Sequence, residues 1–388
     1  MNYTELIDEK ASYFQGLAQS HSGNFLEALD KAKAGERLTP LDIILLLNCS
    51  SDSEKRSVII HTANEVKEVF YGKRIKRIIP LIISNICVNQ CRYCGYGKGS
   101  KISRRRLDSE AFQQEFDYVF NMGYRNIELV LAEDPKFPPE RLAEYVRYAA
   151  TKVETTGVGG ISINLAPLDI NGYQELKEAG ISGVYMWQES YDPEAYRKYH
   201  PTNTPKGDFL NRLDSYERMI KAGIKSYGVG VLLGLGDPRY EVLSIIEHCN
   251  FLEQEYGLMP SMFGIPRMQK SPYAKDSTAA YPMDDDLFRT IVAIYRLVFP
   301  ATNIFVNSRE TIEMQKKLIR GGGDVIVLEC STYPGGYTTT TRLGQFKHHR
   351  FKSELEIPKL AKEGYEVVND YDDNHDPALR EKLKTRQG

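Results

Sequence analysis

Three cysteines, Cys87, Cys91 and Cys94, stand as C-x-x-x-C-x-x-C directly after the apolar run from Ile78 to Ile86, and a glycine follows the third. Thiolates at this spacing let one short loop ligate three corners of a cubane [4Fe-4S] cluster and leave the fourth iron without a protein ligand. An iron left open in this way can bind S-adenosylmethionine and pass it an electron, while the protein supplies ligation, burial and aim. Zinc sites and redox thiols also use C-x-x-C pairs. A structural zinc wants a fourth ligand close by, yet the next cysteine is Cys249, and His61 and His200 stand alone. A redox dithiol leaves Cys87 without a role. The spacing therefore favours the cluster, and a zinc-binding or cluster-carrying barrel without turnover is the alternative from another class.

A cluster loop needs a scaffold that aims it, and the chain carries one in its pattern. Eight β-rich apolar runs follow Lys76: 77–84, 126–132, 160–166, 183–188, 227–233, 262–266, 303–308 and 324–329. Continuous apolar strands alternating with helical segments predict a parallel sheet covered on its outer face, and eight of them predict an α/β fold closed as a (β/α)8 TIM barrel. Helices are expected over Ser109 to Met122, Gly172 to Ala179 and Asp214 to Ala222, each stopped by the glycine that precedes the next strand. Barrel chemistry collects at the carboxyl ends of the strands. Those ends read Cys87, Cys91 and Cys94; Glu133 and Asp134; Asn164 and Pro167; Gln188 and Glu189; Asp237; Arg267; Ser308 and Arg309; and Ser331. Residues 1–75 form a helical extension on this reading, residues 76–331 the barrel, and residues 332–388 a loop, a helix over Glu354 to Lys362 and a polar tail.

Composition narrows the setting. The 388 residues are 41% hydrophobic and 26% charged, enough to bury a large core, and the net charge of −2 advertises no nucleic acid. The one dense basic run, Lys101 to Arg106, reads as a solvated loop leading into a helix. Six cysteines, three of them in one loop, argue against a secreted disulfide scaffold and for the reducing cytoplasm. No signal peptide and no membrane span is expected. Cys249 reads as an ordinary thiol in a helix, whereas Cys330 ends the eighth strand, where it could line a cavity.

The blocks LIISNICVNQCRYCGYG, MWQESYDPEAYRKYHP, GVGVLLGLGDPRYEVLSIIEHCNFLEQEYG, NSRE and STYPGGY followed by QF resemble radical S-adenosylmethionine enzymes of the aromatic amino acid lyase branch. That branch holds the 2-iminoacetate synthase of thiamine biosynthesis, the tyrosine lyase of [FeFe]-hydrogenase maturation and the tryptophan lyases of thiopeptide pathways. The resemblance runs from about Phe70 to Asp372 and implies a radical SAM barrel with a cluster and S-adenosylmethionine as cofactors. By it, Tyr93 packs beside the adenine, Glu133 meets the methionine amino group, Glu189 binds the ribose hydroxyls and Arg212 pairs with the methionine carboxylate. Asn164, at its strand end, joins the cofactor-binding set. Arg309 is the implied anchor for a substrate carboxylate, with Arg267 as the other arginine in reach, and Tyr96 and Ser308 stand next to the substrate's amino end. Tyr96 and Arg309 are the residues taken as catalytic.

The implied reaction is lysis of the Cα–Cβ bond of an aromatic amino acid, tyrosine first, giving p-cresol and 2-iminoacetate through a 5′-deoxyadenosyl radical. An electron donor such as flavodoxin or ferredoxin is the implied partner. The sequence departs from the branch in two places. No cysteine follows Cys330, so the second cluster of the hydrogenase maturases is not expected, and Ala132 stands where the family often has a glycine before the glutamate. Tryptophan or another amino acid, handled by a lyase or by a mutase like methylornithine synthase, is the alternative substrate.

Overall fold

The computed structural model of the chain describes residues 3, 10, 13–17, 23–339, 341 and 343–369. Leu6 and the polar tail from residue 370 onward lie outside them.

Three helices, α1 (Phe25–Ala34), α2 (Pro40–Asn48) and α3 (Ser53–Tyr71), lead into β1 (Arg74–Arg77) and β2 (Ile79–Ser84). The chain then alternates: α4 (Ser109–Asn121), β3 (Asn126–Leu131), α5 (Pro139–Glu154), β4 (Gly160–Asn164), α6 (Ile170–Glu178) and β5 (Gly183–Tyr185). It continues through α7 (Pro193–Tyr199), α8 (Phe209–Leu213), α9 (Ser215–Lys221), β6 (Tyr227–Gly230), α10 (Pro238–Tyr256), β7 (Met262–Gly264) and α11 (Asp285–Val298). Last come β8 (Asn303–Val306), α12 (Ile312–Arg320), β9 (Val325–Ile326), α13 (Ser353–Lys362) and β10 (Glu366–Val368).

Every strand pairing is parallel, and the neighbours β2 to β9 follow chain order. The two ends of the sheet meet in one bent stave: β1 pairs with β9, β2 pairs with β3, and Ile78 between them donates its N–H to the Ile326 carbonyl at 3.0 Å. This is a TIM-barrel-like fold, with helices around it. Two details differ from the sequence reading. The strands are shorter than the apolar runs, since beyond their ends the pairing survives only as isolated bridges such as Glu189 to Val231 and Leu233 to Arg267; the staves splay there and open a mouth. A further strand, β10, adds in parallel to β1 at the opposite end from that mouth.

Alternation along the strands sorts the side chains. On β2, Leu81 and Ile83 are buried in the shell beneath the helices, while Pro80 and Ile82 face a central cavity. On β3, Ile127 and Leu129 pack outward, and Glu128 and Val130 point inward. Aspartates cap the helices that return from the mouth: Asp108, Asp169 and Asp284 each accept a backbone N–H in the first turn of α4, α6 and α11. Gly123, Gly180 and Gly223 follow α4, α6 and α9 at φ between 83° and 102°, a region open to glycine, and so turn the chain into the next strand. The N-terminal helices pack on the side of the barrel, α2 and α3 against α11.

Candidate active site

The mouth opens into a cavity of about 1290 Å³, its open end included. Cys87, Cys91, Cys94, Tyr93, Tyr96, Glu133, Asn164, Glu189, Arg212, Ser308 and Arg309 all line it. They come from five different strand ends and from helix α8, so only barrel closure brings them together.

The cysteine loop leaves β2 and folds on itself through Cys94 N–H to the Cys91 carbonyl and Gly97 N–H to the Cys94 carbonyl, both at 3.1 Å. Arg104 reaches back into it and donates to the carbonyls of Asn85, Tyr96 and Gly97 at 2.6–2.7 Å. Asn89 ties three parts of the site together. Its amide nitrogen donates to Glu133 at 2.5 Å and lies 3.7 Å from the Cys87 sulfur, and its oxygen accepts from Lys206 N–H at 2.8 Å. The Cys94 sulfur accepts from the Tyr96 N–H at 3.4 Å and from the Gln345 amide at 3.0 Å. Gly95 makes the second contact possible, because a Cβ there would sit 2.3 Å from the Gln345 carbonyl oxygen.

All six cysteines are free thiols. Among the described residues no three His, Cys, Asp or Glu side chains lie close enough to hold a single metal ion. A cubane makes no such demand, since it gives each thiolate its own iron. The donor set therefore fits the cluster: three thiols on one loop, facing one cavity, with N–H donors at the sulfurs. Burial pushes the Cys91 thiol up to about 12 and raises Cys94 as well. Buried thiols such as Cys91 and Cys94 become thiolates opposite a metal charge, so cluster loading releases protons.

Beside the loop, the Tyr93 hydroxyl meets His200 Nε2 at 2.9 Å, and His200 Nδ1 lies 2.8 Å from the Tyr196 carbonyl. Burial holds His200 neutral, at about 3, so Nδ1–H must donate to the carbonyl and Nε2 accepts from Tyr93. Across the mouth, Glu189 has φ 75°, the one positive value at a non-glycine position among the described residues. Two backbone bonds to the β6 side hold that strained conformation, Glu189 N–H to Gly230 and Leu232 N–H to Glu189. Burial alone would raise the Glu189 carboxyl, but Lys206 at 2.7 Å and Arg212 at 3.9 Å outweigh it and hold the group at about 2. Arg212 also donates through Nε to the Trp187 carbonyl at 2.7 Å.

Arg309 lies with its guanidinium 3.7 Å from the Phe346 ring centroid, and its backbone N–H donates to Asn307 Oδ1 at 2.9 Å. No carboxylate pairs with it among the described residues. Burial lowers its pKa. The Tyr96 hydroxyl donates to the Thr332 carbonyl, so the C-terminal segment around Thr332, Gln345 and Phe346 covers the cluster loop and packs on Arg309 together.

Residues 81–249 match the Radical SAM superfamily. The 2-iminoacetate synthase of Salmonella typhimurium is 26% identical over 350 residues, which span 89% of this chain and 91% of that one. The solved FeFe-hydrogenase maturase HydG from Carboxydothermus hydrogenoformans superposes with a TM-score of 0.84 at 30% identity, covering 95% of this chain and 84% of that one. The chain belongs to the radical SAM superfamily, in the branch of 2-iminoacetate synthase and HydG. Methylornithine synthase, at 20% identity and a TM-score of 0.71, shares the fold. This radical SAM enzyme accordingly works with a [4Fe-4S] cluster and S-adenosylmethionine.

Two sequence readings of this radical SAM enzyme need correction. Arg267 does not reach the cavity: Glu310 takes its guanidinium in a bidentate pair, Asp285 holds it at 2.7 Å, and it lies over the Phe288 ring. An arginine with two carboxylates of its own cannot anchor a third. The Lys101 to Arg106 run is not a solvated loop either, because Arg104, Arg105 and Arg106 turn inward to carbonyls of the cluster loop, to Pro334 and to Asp134. Asp134 and Asp237 likewise serve the frame, the first bound to Ser84 and Arg106, the second capping α10. Asn89, Lys206, Trp187, Gln345 and Glu128 line the cavity without having been singled out. Glu128 alone left a trace in the sequence, as a charge at an inward position of an apolar run.

Proposed function

We propose that this enzyme is a carbon–carbon lyase that cleaves the Cα–Cβ bond of an aromatic amino acid, tyrosine first, to p-cresol and 2-iminoacetate. One observation carries the reading: the cavity that holds the three cysteines also holds Arg309, a half-buried cation with no carboxylate of its own among the described residues. A free α-carboxylate is the natural partner for such a guanidinium.

Cys87, Cys91 and Cys94 would hold the cluster, and bound there with S-adenosylmethionine it supplies the one-electron cleavage that generates a hydrogen-abstracting adenosyl group. The chain's own residues do the positioning. Tyr93, fixed by His200, flanks the adenine; Glu133, steered by Asn89, takes the methionine ammonium; Glu189 takes the ribose hydroxyls; Arg212 takes the methionine carboxylate, with Asn164 at the same wall. Arg309 holds the substrate carboxylate, and Ser308 and Tyr96 border its amino end. Such placement matters more than acid–base tuning, since a radical takes whichever hydrogen lies nearest. The electron comes from a flavodoxin or ferredoxin, for which the exposed Lys98, Lys101 and Lys275 around the groove outside Cys91 and Cys94 offer a basic rim.

Anaerobic reconstitution should give a brown protein with about four irons. With reductant, S-adenosylmethionine and tyrosine it should yield 5′-deoxyadenosine together with p-cresol. Absence of 5′-deoxyadenosine above the substrate-free control with every aromatic amino acid would end the lyase reading.

A further inference from the structure

The closed end of the cavity holds a carboxyl that the mouth chemistry leaves unused. Glu128 sits mid-strand on β3, in register with Pro80 on β2 and Ser162 on β4, and four residues, about 13 Å of strand, below Ala132 at the mouth. It is 6% exposed, and its one hydrogen bond is to Oε1, from the Asn164 amide at 3.1 Å. No cation pairs with it among the described residues. Burial therefore raises it to about 7, with the Asn164 bond opposing only in part. A buried carboxyl with so little compensation is costly to keep in an apolar wall.

Its surroundings are shaped for a ring. Pro80, Ile82, Val130, Phe305 and Val327 line the cavity with Glu128, and Trp187 stands above, four residues beyond Gly183, which shares the register of Glu128 through Ser162. Trp187, the only tryptophan in the chain, is seated by missing side chains: a Cβ on Gly264 would come within 2.5 Å of its ring, and one on Gly230 within 2.6 Å. The strands β6 and β7 are thus pared to backbone where the indole stands, and the indole lines the cavity there.

We propose that Glu128, oriented by Asn164, selects the substrate side chain, its second oxygen accepting a hydrogen bond from a hydroxyl at the far end of an aromatic ring packed near Trp187. The cavity then takes a hydroxyphenyl side chain over an unsubstituted phenyl. A phenol needs one acceptor, which the floor supplies, whereas an ammonium brings three donors into a wall that is otherwise apolar. The inference rests on the aromatic amino acid reading above and names the feature of the substrate that this site reads.

The test is anaerobic calorimetry on the reconstituted holoenzyme with S-adenosylmethionine present, titrated with tyrosine, phenylalanine and lysine. The parent should bind tyrosine roughly 100-fold more tightly than phenylalanine, the worth of one hydrogen bond to a charged acceptor. Glu128→Leu should abolish that preference while phenylalanine binding stays within about threefold, and Glu128→Gln, whose amide oxygen still accepts, should keep most of it. If Glu128→Leu does not reconstitute, Glu128→Met, close to the parent in length and without an acceptor oxygen, carries the test, with the same loss of preference expected. An unchanged tyrosine-to-phenylalanine ratio in the folded variants overturns the assignment, as does lysine binding more tightly than tyrosine through Glu128. Formation of p-cresol by a Glu128→Leu enzyme with parental discrimination sinks this inference alone; a parent that binds no aromatic amino acid and makes no p-cresol sinks the lyase reading with it.

Discussion

Around the rim of the barrel Glu189, Asp134 and Arg267 are matched by opposite charges, and on the cavity wall Glu128 and Arg309 are not. Glu189 meets Lys206 and Arg212, Asp134 meets Arg106, and Arg267 meets Glu310 and Asp285. Glu128 at the floor has one neutral hydrogen bond, and Arg309 has a ring and a carbonyl. A matched buried pair is satisfied by the protein itself and shapes the frame or holds a polar wall in place; an unmatched one is a cost that a ligand can remove. The pattern separates charges already answered within the protein, Glu189 and Arg212 at the cofactor's wall among them, from charges that wait for substrate.

The strongest way to break this division is at the cluster. Cys91→Ala should lose the brown chromophore and bring iron content and 5′-deoxyadenosine formation to background, read by absorbance and product assay. Next comes Arg309→Leu, which should cost about 100-fold in kcat/KM for tyrosine with the cluster spectrum intact. Glu189→Gln leaves Lys206 and Arg212 without their buried anion and should destabilise the apoprotein by about 3 kcal/mol, seen as a lower unfolding midpoint in denaturant. Glu128→Gln should do the opposite, and with a pH signature. Because burial raises the folded carboxyl to about 7 from an ordinary 4.5, its contribution is complete below 4.5 and lost as pH rises through 7. The amide variant should therefore match the parent near pH 4 and exceed it by up to about 3 kcal/mol at pH 8. Smallest at the active site is Arg267→Lys, which should lower the melting temperature and leave KM for tyrosine unchanged; a raised KM would put Arg267 back among the substrate contacts.

Much of the site was legible in residue order. The cysteine spacing marks the cluster loop, the eight apolar runs mark the staves, and strand-end position brings Glu133, Asn164, Glu189, Ser308 and Arg309 to one mouth. Arg267 and Arg309 looked alike on that evidence, since each follows a strand; only Glu310 and Asp285, brought in from elsewhere, tell them apart.

By itself the sequence determined the loop chemistry and the barrel, because ligand spacing and apolar periodicity are local properties of the chain. Tertiary structure decided which charges are paired. Asn89 with Glu133, Lys206 with Glu189, Gln345 with Cys94 and Arg104 with the loop carbonyls join residues that are distant in sequence or carry no periodic signal. Pairing of that kind is fixed by closure of the barrel, which sets what each buried charge meets.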